Sequence, residues 1–281
     1  MKIDGNTRLI AHVGHPTHSF KSPLIYNPWL AQVGANVVVV PFDAQPPAYP
    51  ALLRALFSAG NVAGALITMP HKISTLTTPG LLDRALPRAQ VAGACNAVRR
   101  AADGCLEGEM FDGEGFVRGM QRHGVEAAGR QALVVGCGGV GSAIAASLAA
   151  AGIARLVLAD VEAGRADALV QRLRHHHPGV SVQHGPADAA GFDVIVNATP
   201  LGMNAADPLP LDVGRISPDA FVGDVVLTGA ITPFLAAAQQ RGCRCQPGLD
   251  MLFEQIPAYL EFFGLPVATA AQLRAVAALS P

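Results

Sequence analysis

Lysine is scarce in this chain. Of its 20 basic residues only Lys2, Lys21 and Lys72 are lysines, and the other 17 are arginines. An excess of either charge is also missing: 20 basic residues face 21 acidic ones, so nothing points to a nucleic-acid partner or a membrane surface. No run approaches the roughly 20 apolar residues of a membrane helix. The start, Met1-Lys2-Ile3-Asp4-Gly5-Asn6, is too polar for a signal peptide. Five cysteines are an odd number, expected as reduced thiols, with Cys243 and Cys245 on opposite faces of a strand. The expectation is a soluble cytoplasmic protein of one or two domains, compatible with a homodimer, whose partners are small molecules.

What the chain does have is a glycine turn in a recognisable frame. Ala132-Leu133-Val134-Val135 leads into Gly136-Cys137-Gly138-Gly139-Val140-Gly141, a small-residue run follows, and a second apolar run ends at Asp160. Strand, glycine turn, helix, strand and acid in that order make a βαβ unit that binds a dinucleotide. Gly136 permits the tight turn, Gly138 admits the pyrophosphate, and Gly141 lets helix and strand pack closely. An acid at the end of the second strand hydrogen-bonds the adenosine ribose and repels a 2′-phosphate. Asp160 therefore favours NAD, with NADP left open by Arg165.

Before this unit, residues 9–13, 36–40 and 64–68 read as strands, the second closed by Pro41, and residues 23–32 and 51–58 as helices. Ser22 is expected as N-cap and Pro23 as the first helical residue. Residues 94–100 and 105–109 form a hairpin around Asp103-Gly104. After the glycine turn, strands are expected at 180–183, 193–197, 221–226 and 244–246, and helices at 162–175, 248–263 and 269–279. The fold class is α/β. Residues 1–108 with 247–281 form a substrate-binding domain with a mixed sheet, and 109–246 a doubly wound dinucleotide-binding domain. The active site is expected in the cleft between them.

Lysine scarcity directs attention to Lys72, which follows a strand end, where α/β sheets place their ligands. Arginine cannot exchange a proton at ordinary pH, whereas lysine can. A surface lysine is the alternative. Asp112 opens a helix and would stabilise its N-terminus, whatever else it does. His175-His176-His177 invite a metal, but consecutive helical residues point in different directions, so no metal is expected.

These segments together resemble the shikimate/quinate dehydrogenase family along nearly the whole chain. Gly14-His15-Pro16, Lys21-Ser22-Pro23 and Asn27 are similar to its substrate loop. Ile67-Thr68-Met69-Pro70-His71-Lys72 resembles its N-V-T-x-P-x-K motif, Gly93-Ala94-Cys95-Asn96 its G-A-x-N, and Asp112-Gly113-Glu114-Gly115-Phe116 its D-G-x-G-F. Asn197-Ala198-Thr199-Pro200-Leu201-Gly202-Met203 and Gly248-Leu249-Asp250-Met251-Leu252 with Gln255 match the late motifs. The resemblance implies reversible oxidation of a ring hydroxyl with hydride passed to a nicotinamide. Lys72 and Asp112 would be catalytic, and Ser22, Thr68, Asn96 and Gln255 would bind substrate. Gly136, Gly138, Gly139, Val140, Gly141, Asp160, Asn197, Thr199, Pro200 and Met203 would bind the cofactor.

The chain departs from the family pattern where substrate is read. Phe20, Leu66, Ala97, Met110, Phe111 and Leu227 stand where polar side chains are usual. Each change removes a hydrogen-bonding group, at about 0.5–1.5 kcal/mol apiece. The expectation is a shikimate-like dehydrogenase with altered substrate choice. The alternatives are quinate, another cyclic alcohol, or a non-catalytic dinucleotide-binding regulator.

Overall fold

A computed structural model describes residues 3–204, 206–227 and 231–279, and the chain divides into two compact units. One holds the chain up to Gln90, Ala94–Phe111 and everything from Ile256 onward; the other holds Val91–Gly93 and Asp112–Gln255.

The chain begins β1 (Arg8–Gly14), α1 (Pro23–Gln32), β2 (Val37–Asp43), α2 (Tyr49–Ser58), β3 (Val62–Ile67), α3 (Lys72–Thr77), β4 (Arg84–Ala85), α4 (Pro87–Ala92), β5 (Ala97–Arg100) and β6 (Leu106–Glu109). The six strands form one mixed sheet in the order β2-β1-β3-β5-β6-β4. β2, β1 and β3 run parallel, because α1 and α2 carry the chain back between them, while β5 and β6 form the Asp103-Gly104 hairpin. Pro41 does not close β2. It continues opposite His12 as far as Asp43, which proline permits because β2 is an edge strand and needs no donor on its outer side. In α1, Ile25, Tyr26, Trp29 and Leu30 line one buried face. Asn27 ties the helix to the sheet edge, accepting from the Val39 N–H at 2.8 Å and donating to its carbonyl at 3.0 Å.

The second unit carries α5 (Asp112–Arg122), β7 (Gln131–Val135), α6 (Gly139–Ala150), β8 (Arg155–Ala159), α7 (Ala163–His176), β9 (Ser181–His184), β10 (Val194–Asn197), β11 (Phe221–Asp224), α8 (Pro233–Gln240) and β12 (Arg244–Gln246). The chain ends with α9 (Gly248–Phe262) and α10 (Ala270–Val276). The sheet is wholly parallel in the order β12-β11-β10-β7-β8-β9. Strand order reverses between β7 and β10, and ligands bind beyond the carboxyl ends of strands at such a switch. The strands are apolar on both faces. Val134, Leu158 and Val196 enter one core, and Leu133, Val157 and Ile195 the other, each burial contributing roughly 1.5–3 kcal/mol.

The return to the first unit, expected at residue 247, falls at Ile256 inside α9. Gly248 lies against the Val225 and Val226 carbonyls, and Met251 joins the second unit's core. The other boundary falls at Asp112 because Phe111 packs against Tyr259 and Phe262, with ring centroids 4.8 and 5.5 Å away. Cys243 and Cys245, expected on opposite faces, both border one apolar cluster; residues two apart in a strand share a face. Among the described residues, no helix is long and apolar enough to cross a membrane.

Candidate functional site

In the first unit the candidate residues gather where β1, β3 and β5 meet. Parallel pairing sets Gly14 beside Thr68, so closely that a side chain at position 14 would collide with Thr68, with the Met69 carbonyl at 2.8 Å and with Phe20 Cζ at 2.8 Å. Lys72 opens α3, and its carbonyl accepts from the Cys95 N–H at 2.8 Å, next to Asn96. Asn96 is fully buried. Its Oδ1 accepts from the Phe111 N–H at 3.0 Å, while Nδ2 has no partner among the described residues. Ser22 sits at the N-cap of α1, but its hydroxyl makes no capping hydrogen bond, contrary to expectation; only its carbonyl serves the helix, accepting from Ile25 and Tyr26.

Sequence reasoning missed two residues here. His71 is buried, donates from Nε2 to the Ala44 carbonyl at 2.7 Å and stacks on Tyr49 at 4.0 Å. Thr75 donates back to the His71 carbonyl at 2.7 Å. These contacts anchor the first turn of α3 and therefore the backbone of Lys72. His12 is buried in β1 and stacked on Phe20, with centroids 4.1 Å apart. A single histidine inside the apolar run of residues 9–13 was the available signal.

Burial, with a smaller push from the Lys72 charge, lowers the His12 pKa to about 3, from 6.5 in an exposed imidazole. Between those values the unfolded chain binds a proton that the folded chain refuses. Stability therefore falls as pH drops below about 6.5, by up to about 1.4 kcal/mol per unit from this group, and the loss levels off near 3. Denaturant titrations of wild type and His12→Leu from pH 7 to pH 4.5 check this, and the variant should show the shallower slope.

In the second unit, Asp112 is buried in the first turn of α5. The glycines after it explain the motif: a Cβ at Gly113 would strike the Ala143 carbonyl of α6, and one at Gly115 would lie 2.6 Å from the Met251 carbonyl of α9. α5 is thus pressed between two helices, which fixes where Asp112 stands. Gln255, buried on α9, has an Oε1 without a partner among the described residues.

The residues of the glycine turn fit a dinucleotide. Gly136 has φ +97°, which disfavours any side chain. Gly141 faces the Gly136 carbonyl so closely that a Cβ would overlap it. At Gly138, by contrast, no atom lies within 4 Å of where a Cβ would stand. That open position precedes the N-terminus of α6, whose unpaired N–H groups suit a pyrophosphate. Asp160 accepts from the Cys137 N–H at 2.6 Å and the Glu162 N–H at 2.8 Å, tying the turn to the end of β8. Arg165 is held by Glu162 at 2.7 Å. Asn197 shapes the neighbouring loop: its Nδ2 donates to Leu201 and Asp224, and its Oδ1 accepts from the N–H and hydroxyl of Thr199. Its hydrogen-bonding capacity is thereby filled, while Met203 on that loop is exposed. His175 and His176 lie in the last turn of α7 and His177 just beyond it. Leu227 is half-buried.

Residues 13–98 match the family model described as the shikimate dehydrogenase substrate binding domain. The chain is 39% identical over 280 residues to a shikimate dehydrogenase (NADP(+)) of Rubrobacter xylanophilus, covering 98% of this chain and 97% of the relative. Among solved structures, quinate dehydrogenase from Corynebacterium glutamicum in complex with NAD is 30% identical, with TM-score 0.84, covering 96% of this chain and 98% of that one. Shikimate 5-dehydrogenase from Thermus thermophilus, in complex with NADP(H) and shikimate, is 27% identical with TM-score 0.84, covering 96% and 98%.

Proposed function

Because the chain belongs to the shikimate dehydrogenase family, we propose that it reversibly oxidises a ring hydroxyl of shikimate or a close cyclic hydroxy acid. A bound nicotinamide dinucleotide supplies the hydride acceptor. The observation that carries the reading is the end-to-end match to a shikimate dehydrogenase, in a chain that keeps a lysine at position 72 despite its preference for arginine. As hydride leaves the carbinol carbon, the hydroxyl must give up its proton, and a side chain able to take it must touch that oxygen. Lys72 is assigned that exchange, with Asp112 as the second ionisable group of the step. Ser22, Thr68, Asn96 and Gln255 are assigned to the remaining hydroxyls and the carboxylate. The unpartnered Asn96 Nδ2 and Gln255 Oε1 support this, because buried polar atoms left unpaired are costly unless a ligand completes them. Gly136, Gly138, Gly139, Val140 and Gly141 would take the pyrophosphate, and Thr199, Pro200 and Met203 the nicotinamide half, on the loop that Asn197 shapes.

For the cofactor, NAD is the reading we favour. Relatives are named for NADP(+), and the Corynebacterium quinate dehydrogenase is bound to NAD. Asp160 and Glu162 set two carboxylates at the end of β8, and Arg165 is engaged by one of them; that arrangement repels a 2′-phosphate. Following nicotinamide absorbance with shikimate, quinate and less hydroxylated ring acids tests both assignments. Reduction of NAD should exceed that of NADP in kcat/KM by about tenfold or more, the size of one lost charge contact. A preference for NADP would reverse the cofactor assignment, and no reduction with any ring acid would remove the dehydrogenase reading.

A further inference from the structure

His12 lies opposite Leu66 in the parallel β1–β3 pairing, and Leu66 lies opposite Ala97 in the antiparallel β3–β5 pairing. Paired residues share a face, and so do residues two apart along a strand. His12, Leu66 and Ala97 therefore form one row on the face that continues to Gly14 and Thr68. Two of that row's three members, Leu66 and Ala97, stand where the family usually carries polar side chains. The third is a histidine, close enough to Lys72 to feel its charge.

Several features of His12 call for an explanation. Its Nδ1 is buried and has no hydrogen-bond partner among the described residues. An unpaired buried nitrogen destabilises a fold, and natural chains rarely keep one without a ligand or water to complete it. Phe20 stacks on its ring at 4.1 Å and also reaches Gly14 beside Thr68. The imidazole is neutral at ordinary pH, so it would offer a substrate a hydrogen bond without a charge.

We propose that His12 is a specificity residue that hydrogen-bonds an uncharged hydroxyl or carbonyl of the cyclic substrate through Nδ1, with Phe20 presenting an apolar ring beside it. This rests on the dehydrogenase reading above and adds the substrate class. The preferred ring acid is less hydroxylated than shikimate on the edge that meets Phe20, and carries one neutral polar group for His12. The two changes work together: Phe20 excludes a hydrated edge, and His12 supplies the single hydrogen bond that remains.

The test uses the full-length enzyme, whichever ring acid wild type turns over best, and the variants His12→Leu, His12→Asn and Phe20→Ser. His12→Leu should raise the KM for the ring acid about tenfold, the size of one buried hydrogen bond, and leave the dinucleotide KM unchanged. Its melting temperature at pH 7 should not fall, since an unpaired buried nitrogen is gone. His12→Asn, whose amide reaches the Nδ1 position, should recover most of the lost KM. Phe20→Ser should shift preference toward shikimate over less hydroxylated acids. An unchanged ring-acid KM in His12→Leu, or a lowered melting temperature with no recovery in His12→Asn, assigns His12 to packing and overturns the proposal. Absence of turnover by wild type would instead overturn the dehydrogenase reading on which it rests.

Discussion

Replacing Lys72 with alanine should lower kcat by about 10²–10⁴-fold, the usual contribution of a positioned proton-transfer group, and leave dinucleotide affinity unchanged. Lys72 stands on the first unit and the glycine turn on the second, so the substitution does not touch the residues assigned to the pyrophosphate. The backbone at position 72 is held independently of its side chain, by the Cys95 N–H and by the His71 anchor to Ala44. The variant should therefore fold. Lys72→Arg separates charge from proton exchange. Arginine keeps the positive charge and much of the reach, but does not lose its proton in the working pH range. Its turnover should fall nearly as far as that of the alanine variant, measured by steady-state and single-turnover nicotinamide absorbance. Wild-type turnover in Lys72→Arg would show that position 72 supplies charge alone.

The second large effect is expected at the glycine turn, where two neighbouring positions should behave oppositely. A Cβ at Gly141 would overlap the Gly136 carbonyl and lie 3.1 Å from Ala198 Cβ. The obstacle is backbone, so the turn must move. Overpacking of this kind costs about 1–3 kcal/mol, which in a chain of this size lowers Tm by roughly 2–12 °C. Displacing the turn should also weaken dinucleotide binding at least about tenfold, since the N–H groups that meet the phosphates move with it. Gly138→Ala meets no protein atom, and its φ of −70° suits alanine, so Tm should stay at the wild-type value. Its methyl group nevertheless occupies the space assigned to the pyrophosphate, and affinity should fall. Thermal melts and fluorescence titration with NADH measure both quantities. Wild-type affinity in Gly138→Ala would mean that the phosphates lie elsewhere.

Much of this was legible in the chain. The parallel strands of the second unit are buried on both faces and read as short apolar runs; the helix at residues 23–32 was bounded by Pro23, and the β5–β6 hairpin by Asp103-Gly104. Other features depended on neighbours. Pro41 looks like a strand terminator, and only its place at a sheet edge lets β2 continue through it. α3 is too short to announce itself by periodicity, yet it carries Lys72, and its anchor is a contact between His71 and the distant Ala44. Phe111 read as a change in the substrate pocket, but it packs against Tyr259 and Phe262, which are far along the chain. Asn197 read as a cofactor ligand, and its side chain is engaged by its own loop and Asp224.

By itself the sequence determined the α/β class and the dinucleotide turn, and it singled out Lys72 as the candidate for proton exchange. The class and the turn follow from local rules, hydrophobic period and glycine where backbone must come close, while Lys72 stood out by the scarcity of lysine and by its family motif. The tertiary structure alone decided which residues share a face. Strand register aligned His12 with Leu66 and Ala97, and the turn closed by the Phe20 N–H on the Thr17 carbonyl brought Phe20 onto His12. Register joins residues 54 and 31 positions apart, and no local pattern in the chain encodes it. The family was therefore written in the motifs, and the row of His12, Leu66 and Ala97 was set by strand pairing.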